Sequence, residues 1–187
     1  DCLCCGYNHL SNSATGAVIM RDNTTSKRYL YLTEGSFQGI SLTERKMIPE
    51  GSHAAKATYY GVNGITASYI YCVDGGHLYA MNFKDDDMGE VELKPQGIPS
   101  DETIEFVANQ FWNPAYSPGD PFNYLIVGTQ KGSTYKLYFY ETNGGAITGK
   151  PLMTKEGTGK VKCVRFLNTG YDGTDSQFGY LTYNNCD

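Results

Sequence analysis

Residues Asn123 to Glu141 read N-Y-L-I-V-G-T-Q-K-G-S-T-Y-K-L-Y-F-Y-E. An apolar run from Tyr124 to Val127 leads to a turn around Lys131 and Gly132, and a second run follows from Tyr135 to Tyr140. That order is the sequence form of a β-hairpin. Successive side chains of a strand alternate between faces, so Tyr124 and Ile126 oppose Leu125 and Val127. Both faces are therefore apolar. A strand of a two-layer sandwich has one face in water and alternates apolar with polar. A strand apolar on both faces needs cover on both, and with no helix pattern to supply it, neighbouring sheets must.

Two weaker copies precede this hairpin. In the first, Arg28–Thr33 and Phe37–Leu42 flank a turn at Glu34-Gly35; in the second, Ser68–Val73 and His77–Phe83 flank Asp74-Gly75-Gly76. The two-faced pattern recurs: Tyr29 and Tyr31 oppose Leu30 and Leu32, and Tyr69, Tyr71 and Val73 oppose Ile70 and Cys72. Single strands are expected at Gly16–Arg21, Ala54–Tyr60, Thr103–Phe111 and Lys160–Phe166, and Gly179–Tyr183 begins a further apolar run. Pro49, Pro99 and Pro151 punctuate the chain at intervals of 50 and 52 residues. Repeats of about 40–50 residues with several strands and no helix are the pattern of β-propeller blades. The expected fold is all-β: β-propeller blades of four-stranded antiparallel sheets, in units 1–46, 47–96, 97–150 and 151–187. Four such units are an incomplete portion of a ring of about seven blades. A β-sandwich is the alternative.

The chain has 187 residues, 40% hydrophobic and 19% charged, a globular rather than a disordered balance. Its net charge of −5 and scattered Lys and Arg argue against nucleic acid as a partner. No apolar run reaches the roughly 20 residues of a membrane-spanning helix. Asp1-Cys2-Leu3-Cys4-Cys5 does not read as a signal peptide, so the expectation is a removed leader or a start inside a larger protein. Cys72 and Cys163 fall inside expected strands, where a free thiol packs as a small hydrophobe. The C-x-C-C cluster lacks the second half of a zinc site, and neither a metal nor a cofactor is expected.

Leu125-Ile126-Val127-Gly128-Thr129, Tyr135-Lys136-Leu137-Tyr138-Phe139-Tyr140, Glu156-Gly157-Thr158-Gly159-Lys160-Val161-Lys162 and the earlier Ile98-Pro99 carry a resemblance. Together they resemble the C-terminal half of the PKD-like lipoproteins of Bacteroidetes, over residues 16–170. The resemblance implies a propeller region exported to the cell envelope, held at the outer-membrane surface by an N-terminal lipid anchor outside this sequence. It further implies a non-catalytic binding or scaffolding role, as an accessory to an outer-membrane transporter complex that takes up glycan or peptide nutrients. It supplies no catalytic residues, and Cys2, which follows Asp1, is not read as a lipidation site.

Candidate chemistry is sparse. The loop Phe111 to Phe122 holds the only Trp among stiffening prolines; Trp112, Tyr116 and Asp120 are the candidate ligand-binding residues. Rings on a stiff loop engage a sugar or a partner at low entropic cost; the plainer reading, favoured by how often Trp is largely buried, is that Trp112 and Phe122 cap the blade core. Asp85, Asp87 and Glu90 are weak calcium candidates, because Met88-Gly89 departs from the D-x-D-x-D-G loop; a solvated sheet-edge loop is the plain alternative. Asp101, Glu102, Glu105 and Asp120 are the carboxylates available to the alternative function, a propeller glycoside hydrolase or lyase. No nucleophile elbow or phosphate cradle occurs.

Overall fold

A computed structural model describes residues 2–8, 13–36, 39–62, 69–83, 89–109, 123–143, 145–168 and 178–184. Among the described residues the fold is all-β with a single short helix, and its antiparallel sheets curl into a half-barrel. Strands β1 (Cys2–Asn8), β2 (Ser13–Arg21), β3 (Arg28–Ser36) and β4 (Gly39–Met47) form sheet 1, paired in chain order. A short helix, α1 (His53–Lys56), leads to sheet 2, the meander of β5 (Tyr59–Val62), β6 (Tyr69–Asp74), β7 (His77–Asn82) and β8 (Glu90–Leu93). Sheet 3 holds β9 (Thr103–Asn109), β10 (Asn123–Lys131) and β11 (Thr134–Asn143), whose outer edge pairs first with β12 (Ala146–Ile147) and then with β13 (Met153–Thr158). β14 (Val161–Asn168) and β15 (Phe178–Asn184) make sheet 4.

The opening hairpin is β10–β11, with Val127 opposite Tyr138 and Thr129 opposite Lys136. Its two apolar faces are covered as the pattern requires. Leu125, Val127, Tyr138 and Tyr140 pack against Tyr71, Val73, Leu78 and Ala80 of sheet 2. On the other face, Ile126, Leu137, Phe139 and Phe106 pack against Val161 and Val164 of sheet 4. Sheet 2 is likewise enclosed: Ile70, Cys72 and Met81 meet Ala17, Ile19 and Leu30 of sheet 1. The sheets are thus stacked in chain order, each inner side chain contributing about 1.5–3 kcal/mol of burial.

The connections between sheets repeat as well. Ile48-Pro49 and Ile98-Pro99 each pack the isoleucine against an inter-sheet core and then turn, with Ser52 N donating to Pro49 O and Glu102 N to Pro99 O, both at 3.1 Å. Pro151 differs, lying between β12 and β13 inside sheet 3. Sheet 3 therefore extends to Thr158, past the expected unit boundary at 150.

Three local expectations need correction. Ala54–Lys56 is helical rather than extended, because Ser52 caps the turn by accepting from Ala55 N at 3.1 Å. Glu34-Gly35 lies within β3 rather than in a turn, paired with Thr15 and Ala14. Glu90, for which a solvated sheet-edge loop is the plain expectation, belongs to β8, the outer strand of sheet 2.

Candidate functional site

Polar side chains gather at one end of the stack, where the link from each sheet enters the next and the middle hairpins turn. In sheet 3 the link delivers Glu102, whose side chain is 3% exposed. Glu102 Oε1 accepts from Lys136 Nζ at 2.6 Å, and Oε2 accepts from Thr129 Oγ1 at 2.6 Å and Tyr138 OH at 2.7 Å. The hairpin register explains the convergence: Thr129 and Lys136 are cross-strand partners, and Tyr138 lies two residues along the same face. Lys136 reaches Glu156 on β13 at 3.8 Å, and neighbouring Lys131 pairs with Asp101. Glu102, Thr129, Lys131, Thr134, Lys136 and Glu156 line a cleft of about 240 Å³.

Sheet 2 carries the same construction with other residues. Its link delivers His53, whose Nδ1 lies 2.8 Å from Asp74 Oδ2 and whose ring stacks on Tyr79 at 3.8 Å and 6°. Asp74 pairs with His77 and Cys72 with Tyr79. Asp74, His77 and Tyr79 thus share one face of the β6–β7 hairpin beside its turn, as Thr129, Lys136 and Tyr138 share one face of β10–β11. His77 Nδ1 lies 3.0 Å from Glu92 on the outer strand, as Lys136 lies near Glu156.

The electrostatics follow from these contacts. Burial alone would raise the Glu102 carboxyl, but hydrogen bonds from Lys136, Thr129 and Tyr138 outweigh it and hold the group below its ordinary range. Asp101 is lowered by its hydrogen bond and charge pairing with Lys131. The Tyr138 phenol is pushed up by burial and then by donation to the Glu102 carboxylate. Tyr79 is raised by burial and by the charges of Glu92, Asp74 and Glu90. Both link carboxylates of sheet 3 are thus ionised acceptors. They are not suited to the role of a protonated general acid, which needs a raised pKa.

Of the residues singled out in the sequence, Trp112, Tyr116 and Asp120 lie outside the described residues, as do Asp85 and Asp87. Glu90 is described, and its carboxylate braces α1, with Oε1 accepting from His53 N and Oε2 from Ala54 N, each at 3.0 Å. Among the described residues no group of three or more His, Cys, Asp and Glu side chains is placed to hold a metal ion. Glu105 is exposed on β9, away from the Glu102 hydrogen-bond network. Thr129, Lys136 and Tyr138 escape sequence reasoning. The available signal is the K-x-Y spacing at 136–138, which places Lys136 and Tyr138 on one face of β11.

No helix among the described residues is long and apolar enough to cross a membrane. No family model matches the chain, and no curated protein or solved structure matches it either.

Proposed function

We propose that this chain is a non-catalytic binding or scaffolding module. Its stacked sheets are blades of a β-propeller belonging to a ring of about seven blades. On the family resemblance in its strand and turn motifs, the setting is the cell envelope. There the module would serve as an accessory surface lipoprotein of an outer-membrane system that takes up glycan or peptide nutrients. The observation that carries the non-catalytic reading is the state of the Glu102 carboxylate. Both of its oxygens accept hydrogen bonds from the protein's own Lys136, Thr129 and Tyr138, leaving a braced scaffold rather than a pair of working carboxylates. Charged, internally satisfied links at the stack end hold the loops of that end in register, which suits presentation of a binding surface.

The cleft beside Glu102 keeps the alternative, a propeller glycoside hydrolase or lyase, worth testing. Incubation with glycan and peptide libraries decides between the two. Saturable binding without product, weakened by Trp112→Ala and Tyr116→Ala, supports the binding module. Product formation that Glu102→Gln or Asp101→Asn abolishes overturns it.

A further inference from the structure

The outer edge of sheet 2 is β8, and among the described residues no strand pairs with its far side. Asn82 N donates to Gly89 O at 2.9 Å, and bonded pairs alternate along an antiparallel ladder. Val91 and Leu93, opposite Ala80 and Leu78, therefore turn their backbone groups toward β7, and those of Glu90 and Glu92 face outward. Such an edge is a ready site for one more strand. Neighbouring sheets in the stack cover the faces of sheet 2 and leave this edge free.

A cleft of about 270 Å³ lies beside the edge, on the face of sheet 2 that meets sheet 3. Ala80, Val91 and Leu93 line it together with Gly145 and Ala146 at the β11–β12 turn. Small residues leave this space open. The Tyr69 ring packs against Gly145, where an added Cβ would stand 2.4 Å from it. Val91, although apolar, is 61% exposed. The volume is below the roughly 300–1,000 Å³ of pockets for drug-sized ligands and suits one large apolar side chain. Along a strand the faces alternate, so Glu90 and Glu92 project from the side opposite Val91 and Leu93. Glu90 is committed to α1, whereas Glu92, 38% exposed, stands beside His77 and Lys94 at 3.0 and 4.0 Å.

We propose that this edge and cleft bind an extended peptide of another polypeptide, added to sheet 2 as a further strand beside β8. One apolar side chain of the peptide enters the cleft next to Val91. A lysine or arginine at the adjacent position falls on the opposite face, where Glu92 supplies the complementary charge. The outward backbone groups of Glu90 and Glu92 exchange main-chain hydrogen bonds with the peptide, whose donors and acceptors repeat at the spacing of the edge. Main-chain bonds thus give affinity, and the alternation of apolar and basic side chains gives selectivity. The inference rests on the binding-module reading and deepens it with a ligand class and the residues that take it.

Fluorescence anisotropy on the whole chain tests it, with a labelled, end-capped hexapeptide that alternates phenylalanine with lysine. Saturable binding is expected. Ala146→Phe fills the cleft from an exposed position and is expected to weaken binding roughly tenfold, with the far-ultraviolet circular dichroism unchanged. Glu92→Lys is expected to weaken the lysine peptide and to strengthen one that alternates phenylalanine with glutamate. Methylating one alternating set of peptide nitrogens should abolish binding, and methylating the other set should spare it. Absence of binding, equal binding by a peptide with three phenylalanines followed by three lysines, or binding that neither variant changes overturns the inference and leaves the binding-module reading standing. Cleavage of the peptide, read by mass spectrometry, overturns the non-catalytic reading and the inference with it.

Discussion

Gly128 in the opening hairpin sits directly across from Phe106 in the β9–β10 register, and the phenyl ring lies over its Cα. A Cβ built there would stand 1.9 Å from Phe106 Cε2 and 2.0 Å from Cζ. Carbon atoms in contact are about 3.5–4.0 Å apart, so the ring must retreat by roughly 1.5–2 Å. It has no room to do so: Phe106 is 1% exposed, packed with Ile126, Leu137 and Phe139 and set edge-on to Tyr59 at 6.3 Å. Alanine gains about 0.5–1 kcal/mol over glycine through the unfolded chain, but overpacking costs about 1–3 kcal/mol and partial expulsion of a phenyl ring adds to it. The clash wins. Gly128→Ala is expected to destabilise the fold by about 2–3 kcal/mol, a loss of roughly 4–12 °C in Tm for a chain of this size. Urea titration followed by circular dichroism reads the first figure, and calorimetry the second. Phe106→Leu in the same chain shortens the clashing group, so the double variant is expected to be more stable than the sum of the singles by at least about 1 kcal/mol. A Gly128→Ala protein within about 0.5 kcal/mol of wild type, or strictly additive variants, would refute the packing argument.

Glu102→Gln is expected to cost about 1–3 kcal/mol at pH 7, since Lys136 loses its buried acceptor charge. Because the folded-state carboxyl is lowered, its contribution is present above the ordinary carboxyl range and lost as pH falls through the lowered value. Wild type should therefore lose more stability than the variant between neutral and strongly acidic pH, and equal losses in urea midpoints would count against the network. Glu90→Ala leaves the amides of His53 and Ala54 without their acceptor, and faster hydrogen exchange is expected across residues 53–56 while β10–β11 stays protected. Burial pushes the Cys72 thiol up to about 12, so mass spectrometry after alkylation at pH 8 should find it unmodified in native protein and modified in urea.

The hairpin at 123–141 and the two-faced pattern of Ile70 to Val73 were legible because strand periodicity and burial are the same signal. Misreading began in sheet 1. The hairpin expected at 28–42 corresponds to β3–β4, whereas its counterparts in sheets 2 and 3 are the middle pairs, β6–β7 and β10–β11. The corresponding middle pairs are β2–β3, β6–β7 and β10–β11. β1 was missed because cysteines near a chain end suggest ligation or bridging before they suggest a strand. α1 was missed because its acceptor for two amides, Glu90, is 36 residues away from Ala54, and local propensity cannot carry a tertiary cap. The Glu102 network failed for the same reason. Each donor looks ordinary in its own strand, and only the register and the link turn bring them within hydrogen-bond reach.

The meander order of the sheets also bears on how the chain comes to be folded. Within sheets 1 and 2 every strand pairs with its neighbour in sequence, and each sheet then lies on the one made just before it. Such pairings close short loops and carry little entropic cost, so each sheet can form as soon as its last strand is available. A chain emerging from the ribosome would therefore assemble vectorially, sheet 1 serving as the template on which α1 and sheet 2 collapse, and so on along the stack. Destabilising substitutions in sheet 1 should then harm folding yield out of proportion to their effect on the finished protein, whereas equal lesions in sheet 4 should act mainly through the rate of unfolding.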